Sequence, residues 1–129
     1  MKKSTTSLRL FFILAVFCSL IAFSQESSLI GTWEGFTFVP DVGEDNVTLV
    51  FTKNEPGLAA TLTDTLGMLA DTPCEDIEFK DNTLTFTFTV SQDMETQTVW
   101  MTLEKEGNLM KGYWETADGE QGDIEFTKQ

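Results

Sequence analysis

The sequence predicts an all-β protein, a single eight-stranded antiparallel up-and-down barrel, from three observations. Residues 83–90 alternate strictly between Thr and large apolar side chains, the period-two pattern of a strand buried on one face. Similar alternation recurs at short, nearly even intervals separated by turn residues. No stretch has a convincing amphipathic-helix pattern. Closure is expected because it removes exposed strand edges that would pair with other chains.

The first predicted strand begins at Gly31 and has Trp33 on its inward face. Strict alternation from Trp33 would send Phe36 and Phe38 to solvent. We predict a bulge or sharp bend at Gly35, where glycine tolerates unusual dihedral angles, that shifts the phase and returns both Phe side chains to the core. The alternative is an exposed aromatic stripe at a binding surface.

The other seven strands are predicted from inward sets of apolar residues, opposed mainly by Thr, Asp, Glu or Lys. In chain order these sets are Val47, Leu49 and Phe51; Leu58, Ala60 and Leu62; Ile77 and Phe79; Leu84, Phe86, Phe88 and Val90; Val99, Met101 and Leu103; Met110, Gly112 and Trp114; and Ile124 and Phe126. Turn-forming residues separate them at 40–46, 54–57, 81–82, 91–95, 106–108 and 117–120.

Residues 1–24 have the pattern of a cleavable export signal. Basic residues precede an apolar run over 10–23, and Ala22-Phe23-Ser24 has small residues at both recognition positions of a signal peptidase. The run is shorter than the roughly 20 residues of a membrane span. We therefore expect cleavage after Ser24, one barrel domain over 25–129, a periplasmic or extracellular location and no stable membrane anchor.

The domain that remains after such cleavage is strongly acidic. Three of the eight basic residues lie in the signal and all 21 acidic residues follow it, which leaves a net charge of −16. The domain has no Arg and no His, so a basic groove for nucleic acid and the usual base of Ser-His or Cys-His catalysis are excluded. Solvated strand faces are the favoured interpretation of the acidic residues, and an acidic docking surface is the alternative.

The remaining chemistry-bearing residues give no indication of an enzyme, a cofactor or a metal centre. Glu34 and Glu115 are expected on strands separated by a third one, about 10 Å apart and beyond the spacing of glycosidase carboxylates. The acidic turns at 41–46 and 118–123 lack EF-hand spacing. Cys74 is predicted to be an inert thiol, because Glu75 and Asp76 would raise its pKa.

Several segments resemble those of lipocalin-like, or calycin-type, barrels. Gly31-x-Trp33 resembles the Gly-x-Trp signature of the lipocalin, fatty-acid-binding and avidin group, and the longer pattern is similar to a small secreted bacterial barrel that also precedes some secreted serine hydrolases. The resemblance implies a barrel that either carries a ligand or accompanies an enzyme. The closing motif departs from the Gly-Thr-Trp common in such barrels. The segments that carry the resemblance are 31–35, 60–64, 76–79, 82–86 and Lys111-Gly112-Tyr113-Trp114.

Two functions of different classes stay open. The first is a binding module for a small apolar or amphipathic ligand in the barrel mouth, which an internal void of about 300 Å³ or more would favour. The second is a protein-interaction domain with a filled core and no small-molecule ligand, which a solid interior would favour. The protein is expected to be a monomer in either case. Residues 64–73 form the longest connection, and its apolar side chains predict either a lid over the mouth or a plug that completes the core. The residues predicted to bind the ligand are Trp33, Phe36, Phe38, Leu66, Met68, Leu69 and Trp100.

Overall fold

A computed structural model of the protein describes residues 26–54, 57–92 and 94–129, so the predicted signal at 1–24 lies outside the described residues. Nine antiparallel strands form one sheet in the order β4-β3-β2-β1-β9-β8-β7-β6-β5. The strands are β1 (Gly31–Val39), β2 (Gly43–Asn54), β3 (Gly57–Asp64), β4 (Thr72–Pro73), β5 (Glu75–Lys80), β6 (Thr83–Gln92), β7 (Glu95–Glu106), β8 (Leu109–Thr116) and β9 (Gln121–Lys128).

The sheet forms a nearly closed up-and-down barrel, and the predicted all-β class is confirmed. The count of eight strands was short by one, because β4 consists of only Thr72 and Pro73, paired with Leu62 and Thr61 of β3. Two residues are too few to produce a visible alternation in the sequence. A proline suits this position, since β4 is an outer strand whose free edge needs no N–H donor.

β1 runs without the bulge predicted at Gly35. Its pairing with β2 keeps one register along the whole strand, and Phe36 and Phe38 point outward with 49% and 60% of their surface exposed. The prediction that both Phe side chains return to the core is therefore wrong. Gly35 is needed for another reason: a Cβ at this position would collide with the ring of Phe126 on β9. Glycine leaves the space that this ring fills.

The inward sets predicted for the other strands form the barrel core. On β7 the face of Val99, Met101 and Leu103 is buried, as predicted, and Trp100 is 42% exposed on the other face. Leu58, Ile77, Phe79 and Val90 are only partly buried but pack against this core. The fully buried side chains include Leu49, Phe51, Leu62, Leu84, Phe86, Leu103, Met110 and Phe126.

One end of the barrel is closed by Trp33. Its side chain is fully buried, and its Nε1 donates a hydrogen bond to the carbonyl oxygen of Leu29 at 2.9 Å. Leu29, in the turn at 26–29 that precedes β1, is also fully buried. The Nζ of Lys128 lies 5.7 Å from the centroid of the indole and donates to the carbonyl of Ser28 at 3.0 Å. The segment that precedes β1 and the last residue of β9 thus meet over this end.

Candidate functional site: the barrel mouth

The opposite end of the barrel is a mouth, open to solvent, with a cavity of about 100 Å³. Its walls are mainly apolar side chains that point inward from the strands, and a few polar side chains lie among them. The apolar residues are Val39, Val47, Leu62, Met68, Leu69, Phe88, Val90, Val99, Met101 and Ile124; the others are Thr37, Asp45, Gln97, Trp114, Thr116 and Glu120.

Thr37 and Trp114 form a fixed polar contact in this wall. The Nε1 of Trp114 donates to Thr37 Oγ1 at 2.9 Å, and Thr37 Oγ1 donates to the carbonyl of Asp123 at 2.6 Å. Gly122 leaves room for the indole, because a Cβ at this position would collide with the Trp114 ring. The threonine hydroxyl is therefore fully engaged, and both side chains are held in one orientation.

Asp45 brings a buried carboxyl group to the mouth. Its side chain is only 2% exposed, and Thr65 Oγ1 donates to its Oδ1 at 3.4 Å. The pKa of Asp45 is raised to about 6, first by burial and then by the hydrogen bond to Asp64 and the repulsion by its charge, against backbone N–H groups of Leu66 and Thr65 that lower the pKa. Asp45 thus changes its charge within two pH units of neutrality.

Asp64 completes a carboxyl pair with Asp45. Its Oδ1 accepts the backbone N–H of Leu69 at 2.9 Å, whereas its Oδ2 is buried and has no hydrogen-bond partner among the described residues. Among the described residues, the mouth therefore contains a buried carboxyl oxygen whose hydrogen-bonding capacity is not satisfied.

Residues 65–71, here called the mouth loop, fold back over the cavity. Leu69 is 6% exposed, Met68 is partly buried against the core, and Leu66 is 40% exposed. Backbone hydrogen bonds hold the loop, from the Asp64 N–H to the Leu69 carbonyl at 3.1 Å and from the Thr65 N–H to the Asn46 carbonyl at 3.0 Å. The loop therefore covers part of the mouth with Leu69. This arrangement is compatible with both predicted roles of the loop, a plug that completes the core and a lid over the mouth.

The structure does not bring the seven predicted ligand-binding residues together. Met68 and Leu69 line the mouth cavity. Trp33 lies at the closed end, four residues before Thr37 on the same strand, and the Phe126 ring packed on Gly35 lies between them. The other four are exposed to solvent, and they are Phe36, Phe38, Leu66 and Trp100.

Sequence reasoning identified only Met68 and Leu69 among the residues that line the mouth, and it missed Thr37, Asp45 and Trp114 among others. Simple alternation contained the signal for two of them. Counting by two from Trp33 places Thr37 inward, and counting back from Val47 places Asp45 inward. The assumed bulge at Gly35 hid the first, and the assignment of 40–46 to a turn hid the second.

A second concave surface lies on the outside of the barrel, where β1 leaves β9. The ladder between these strands ends at Thr37 and Ile124, although β1 continues to Val39 and β9 begins at Gln121. The result is an open groove of about 680 Å³. The side chains of its rim include Phe36, Phe38, Pro40, Lys111, Asp123 and Glu125.

The two carboxylates considered for hydrolysis are far apart. On β9, Glu34 of β1 lies opposite Thr127, and Glu115 of β8 lies opposite Gln121. Six residues of an extended strand correspond to roughly 20 Å. The hydroxyl of Thr48 donates to Glu34 Oε2 at 3.0 Å, so this carboxylate has a partner on β2.

Cys74 lies between β4 and β5, away from the mouth. Burial raises the pKa of its thiol to about 12. The predicted direction of the pKa shift is confirmed, but its cause is loss of solvent rather than the carboxylates of Glu75 and Asp76. A thiol with this pKa forms almost no thiolate at neutral pH.

No protein-family model matches the chain, and neither a curated protein nor a solved structure matches it. The class therefore rests on the structure, a nearly closed all-β antiparallel barrel that is compatible with a lipocalin-like fold. In the part of the chain that the structure describes, no helix is long and apolar enough to cross a membrane. Within the same residues, no three His, Cys, Asp or Glu side chains are grouped to hold a metal ion.

Proposed function

We propose that the protein is a non-catalytic binding domain of lipocalin-like type, whose mouth takes a small apolar ligand or the apolar end of an amphipathic one. The observation that carries this proposal is the composition of the mouth cavity. Apolar walls surround a few placed polar groups, among them Asp45, Gln97 and Glu120. Small-molecule sites in proteins combine these two features, since the walls provide affinity and the polar groups fix orientation.

The size of the cavity restricts the ligand. Its volume of about 100 Å³ lies below the void of about 300 Å³ expected of a ligand carrier, because drug-sized ligands occupy clefts of roughly 300–1,000 Å³. A long acyl chain cannot be enclosed while Leu69 covers the mouth. The ligand is therefore compact, or it inserts one end and leaves the remainder in solvent.

The proposal includes export of the protein and removal of residues 1–24, which makes the binding domain periplasmic or extracellular. The support is the sequence pattern that ends in Ala22-Phe23-Ser24. The intact mass of the exported protein should correspond to a chain that begins at Gln25. A soluble product that keeps residues 1–24 would contradict this part of the proposal.

Ligand titrations with paired loop variants test the mouth. The probes are octanol, octylamine and octanoate, with their twelve-carbon analogues, and calorimetry and intrinsic Trp fluorescence are the measurements. We expect saturable binding by at least one probe, weakened five-fold or more by Met68→Ser, because Met68 lines the cavity. Leu66→Ser is the control in the same loop, since Leu66 is exposed. No saturable binding, or equal effects of the two substitutions, would overturn the proposal.

The second candidate function is a protein-interaction domain that works through the outside of the barrel. One observation favours it: four aromatic side chains are strongly exposed on the outer surface of β1, β7 and β8. They are Phe36 at 49%, Phe38 at 60%, Trp100 at 42% and Tyr113 at 41%. Aromatic residues are enriched at protein interfaces relative to the remaining surface.

A further inference from the structure

We infer that the outer face of β1, β9, β8 and β7 is a docking surface for a basic, extended segment of a partner protein. This inference rests on the second candidate function and names its partner class; it does not depend on the mouth cavity. Three features of the outer face support it, namely its aromatic side chains, its groove and its charge.

The aromatic side chains lie on neighbouring strands around β9. Phe36 and Phe38 are two residues apart on β1 and therefore share a face. On the other side of β9, Tyr113 pairs with Asp123, and Trp100 on β7 pairs with Glu115 on β8. Neighbouring strands are about 4.8 Å apart, so Tyr113 lies two strands and Trp100 three strands from β1 around the curved wall of the barrel. Phe36 and Phe38 are the rings that border the groove. Scattered exposed apolar residues are normal, but two large rings side by side at a groove indicate an interaction site.

The groove gives this surface a shape that admits an extended chain. β1 and β9 separate beyond Thr37 and Ile124, and the space of about 680 Å³ runs between Phe38 and the first residues of β9. A segment lying there would contact the Phe rings along one side.

The charge of the groove selects a basic partner. Asp123 and Glu125 lie in it, and Lys111 is the lining cation among the described residues. Lys111 Nζ is 4.0 Å from Glu125 Oε2, with both side chains more than half exposed, a geometry of little energetic value. The whole chain reinforces the preference, with 21 acidic against eight basic residues. Attraction between opposite charges speeds encounter and suppresses wrong partners.

Arginine suits this combination of rings and carboxylates best. A guanidinium group can stack on an aromatic ring and at the same time form paired hydrogen bonds with a carboxylate. An uncharged segment would bury the carboxylate of Asp123 without supplying a cationic partner, which is costly. A nucleic acid would be repelled, because its phosphates carry the same sign of charge as the groove.

The test is binding of a fluorescein-labelled octa-arginine peptide, measured by anisotropy at 150 mM salt. We expect Phe36→Ser combined with Phe38→Ser to weaken binding ten-fold or more, and Asp123→Asn combined with Glu125→Gln to do the same. The matched control is Glu75→Gln combined with Glu78→Gln, which removes equal charge from the exposed outer side of β5 and should change the Kd less than two-fold. The mouth variant Met68→Ser should leave peptide binding unchanged.

The outcomes separate the partner class from the docking surface. Equal weakening by the two charge-changing variants, or no effect of the Phe substitutions, would show general attraction to a polycation and overturn the inference. A neutral apolar octapeptide is titrated in parallel. If the Phe substitutions weaken only the neutral peptide, the outer face binds proteins but the basic partner class is wrong. If neither peptide binds, the inference and the interaction-domain candidate both fail. Circular dichroism of each variant confirms that it is folded.

Discussion

The two ends of the barrel use the same strands in different ways. At the closed end, the buried indole N–H of Trp33 has a carbonyl partner, and Lys128 lies over the ring. At the mouth, Asp45 is buried beside Asp64, and one Asp64 oxygen lacks a partner among the described residues. The buried polar group at the closed end is hydrogen-bonded, whereas one buried carboxyl oxygen at the mouth has no such bond within the described part of the chain. Unsatisfied buried polar groups of this kind concentrate at functional sites. For this reason the mouth, and not the closed end at Trp33, is the candidate ligand site.

The largest expected effect tests the closed end. Trp33→Ala removes a side chain with 0% exposure, so a cavity remains and the free energy of unfolding should fall by about 3–5 kcal/mol. Trp100→Ala is the matched control, because Trp100 is 42% exposed on the outer face, and its effect should be about 0.5 kcal/mol. Urea unfolding measures both variants. Similar losses would contradict the assignment of Trp33 as the plug.

The next effect compares the mouth with the closed end. Leu69→Ala should lower the free energy of unfolding by about 2 kcal/mol, the lower end of the range for buried Leu, because the mouth loop can partly collapse into the space. Leu69 is 6% exposed. Thermal and urea unfolding give the value. A loss as large as that for Trp33→Ala would show that the loop belongs to the core, and the lid interpretation would lose its support.

A smaller effect tests why β1 contains Gly35. Gly35→Ala places a methyl group against the Phe126 ring, and overpacking of this kind costs about 1–3 kcal/mol. Phe126→Leu should partly relieve the clash, so the double variant should be more stable than the sum of the two single effects predicts. Urea unfolding of the three variants gives this coupling energy. Strict additivity would show that the ring is not the reason for the glycine.

The smallest effect depends on pH. Folding raises the pKa of Asp45 from 3.8 to about 6, so the folded state binds this proton more tightly than the unfolded state. The contribution of Asp45 to stability is therefore present at low pH and is lost as the pH rises through about 6. Asp45→Asn removes the titration. The melting temperature of the variant minus that of the wild type should increase from pH 4 to pH 7 and then level off.

Two other carboxyl groups lie near Asp45, and one of them provides a control for this experiment. Asp64 is in direct contact with it, and Glu120 lies in the same cavity. Glu120→Gln, with its side chain at the solvent-exposed rim, should shift this pH dependence much less than Asp45→Asn does. A difference in melting temperature between Asp45→Asn and the wild type that stays constant across this pH range would contradict the assigned pKa.

The sequence predicted the barrel because local alternation decides which face of a strand is buried. The inward sets of β6 and β9 needed only the period of two, since each apolar side chain has a polar neighbour on either side. The prediction for β1 was wrong because Phe36 and Phe38 are apolar residues on an outward face. Alternation itself was correct there, and the expectation that large apolar side chains must be buried overruled it.

The candidate sites could not be predicted to the same degree, because they depend on contacts between distant segments. Asp45 and Asp64 meet only because β2 and β3 pair, and the outer groove exists only because β1 and β9 separate beyond Thr37. Nothing local in the sequence encodes these distances. The mouth loop was recognised from its length and its apolar residues, but the burial of Leu69 and the exposure of Leu66 follow from the way the loop folds back.

The position of β9 in the sheet has a consequence for the order in which the protein folds. The last strand in the chain lies between β1 and β8, and its final residues hydrogen-bond back to the start, with the Gln129 N–H donating to the Thr32 carbonyl at 2.9 Å. During synthesis, β1 can pair with β2 early, but its other edge stays open until β9 has been made. Contacts this far apart in sequence form slowly. An incomplete chain therefore exposes two further unpaired strand edges, those of β1 and β8, and the eight-residue strand β9 joins the two halves of the sheet.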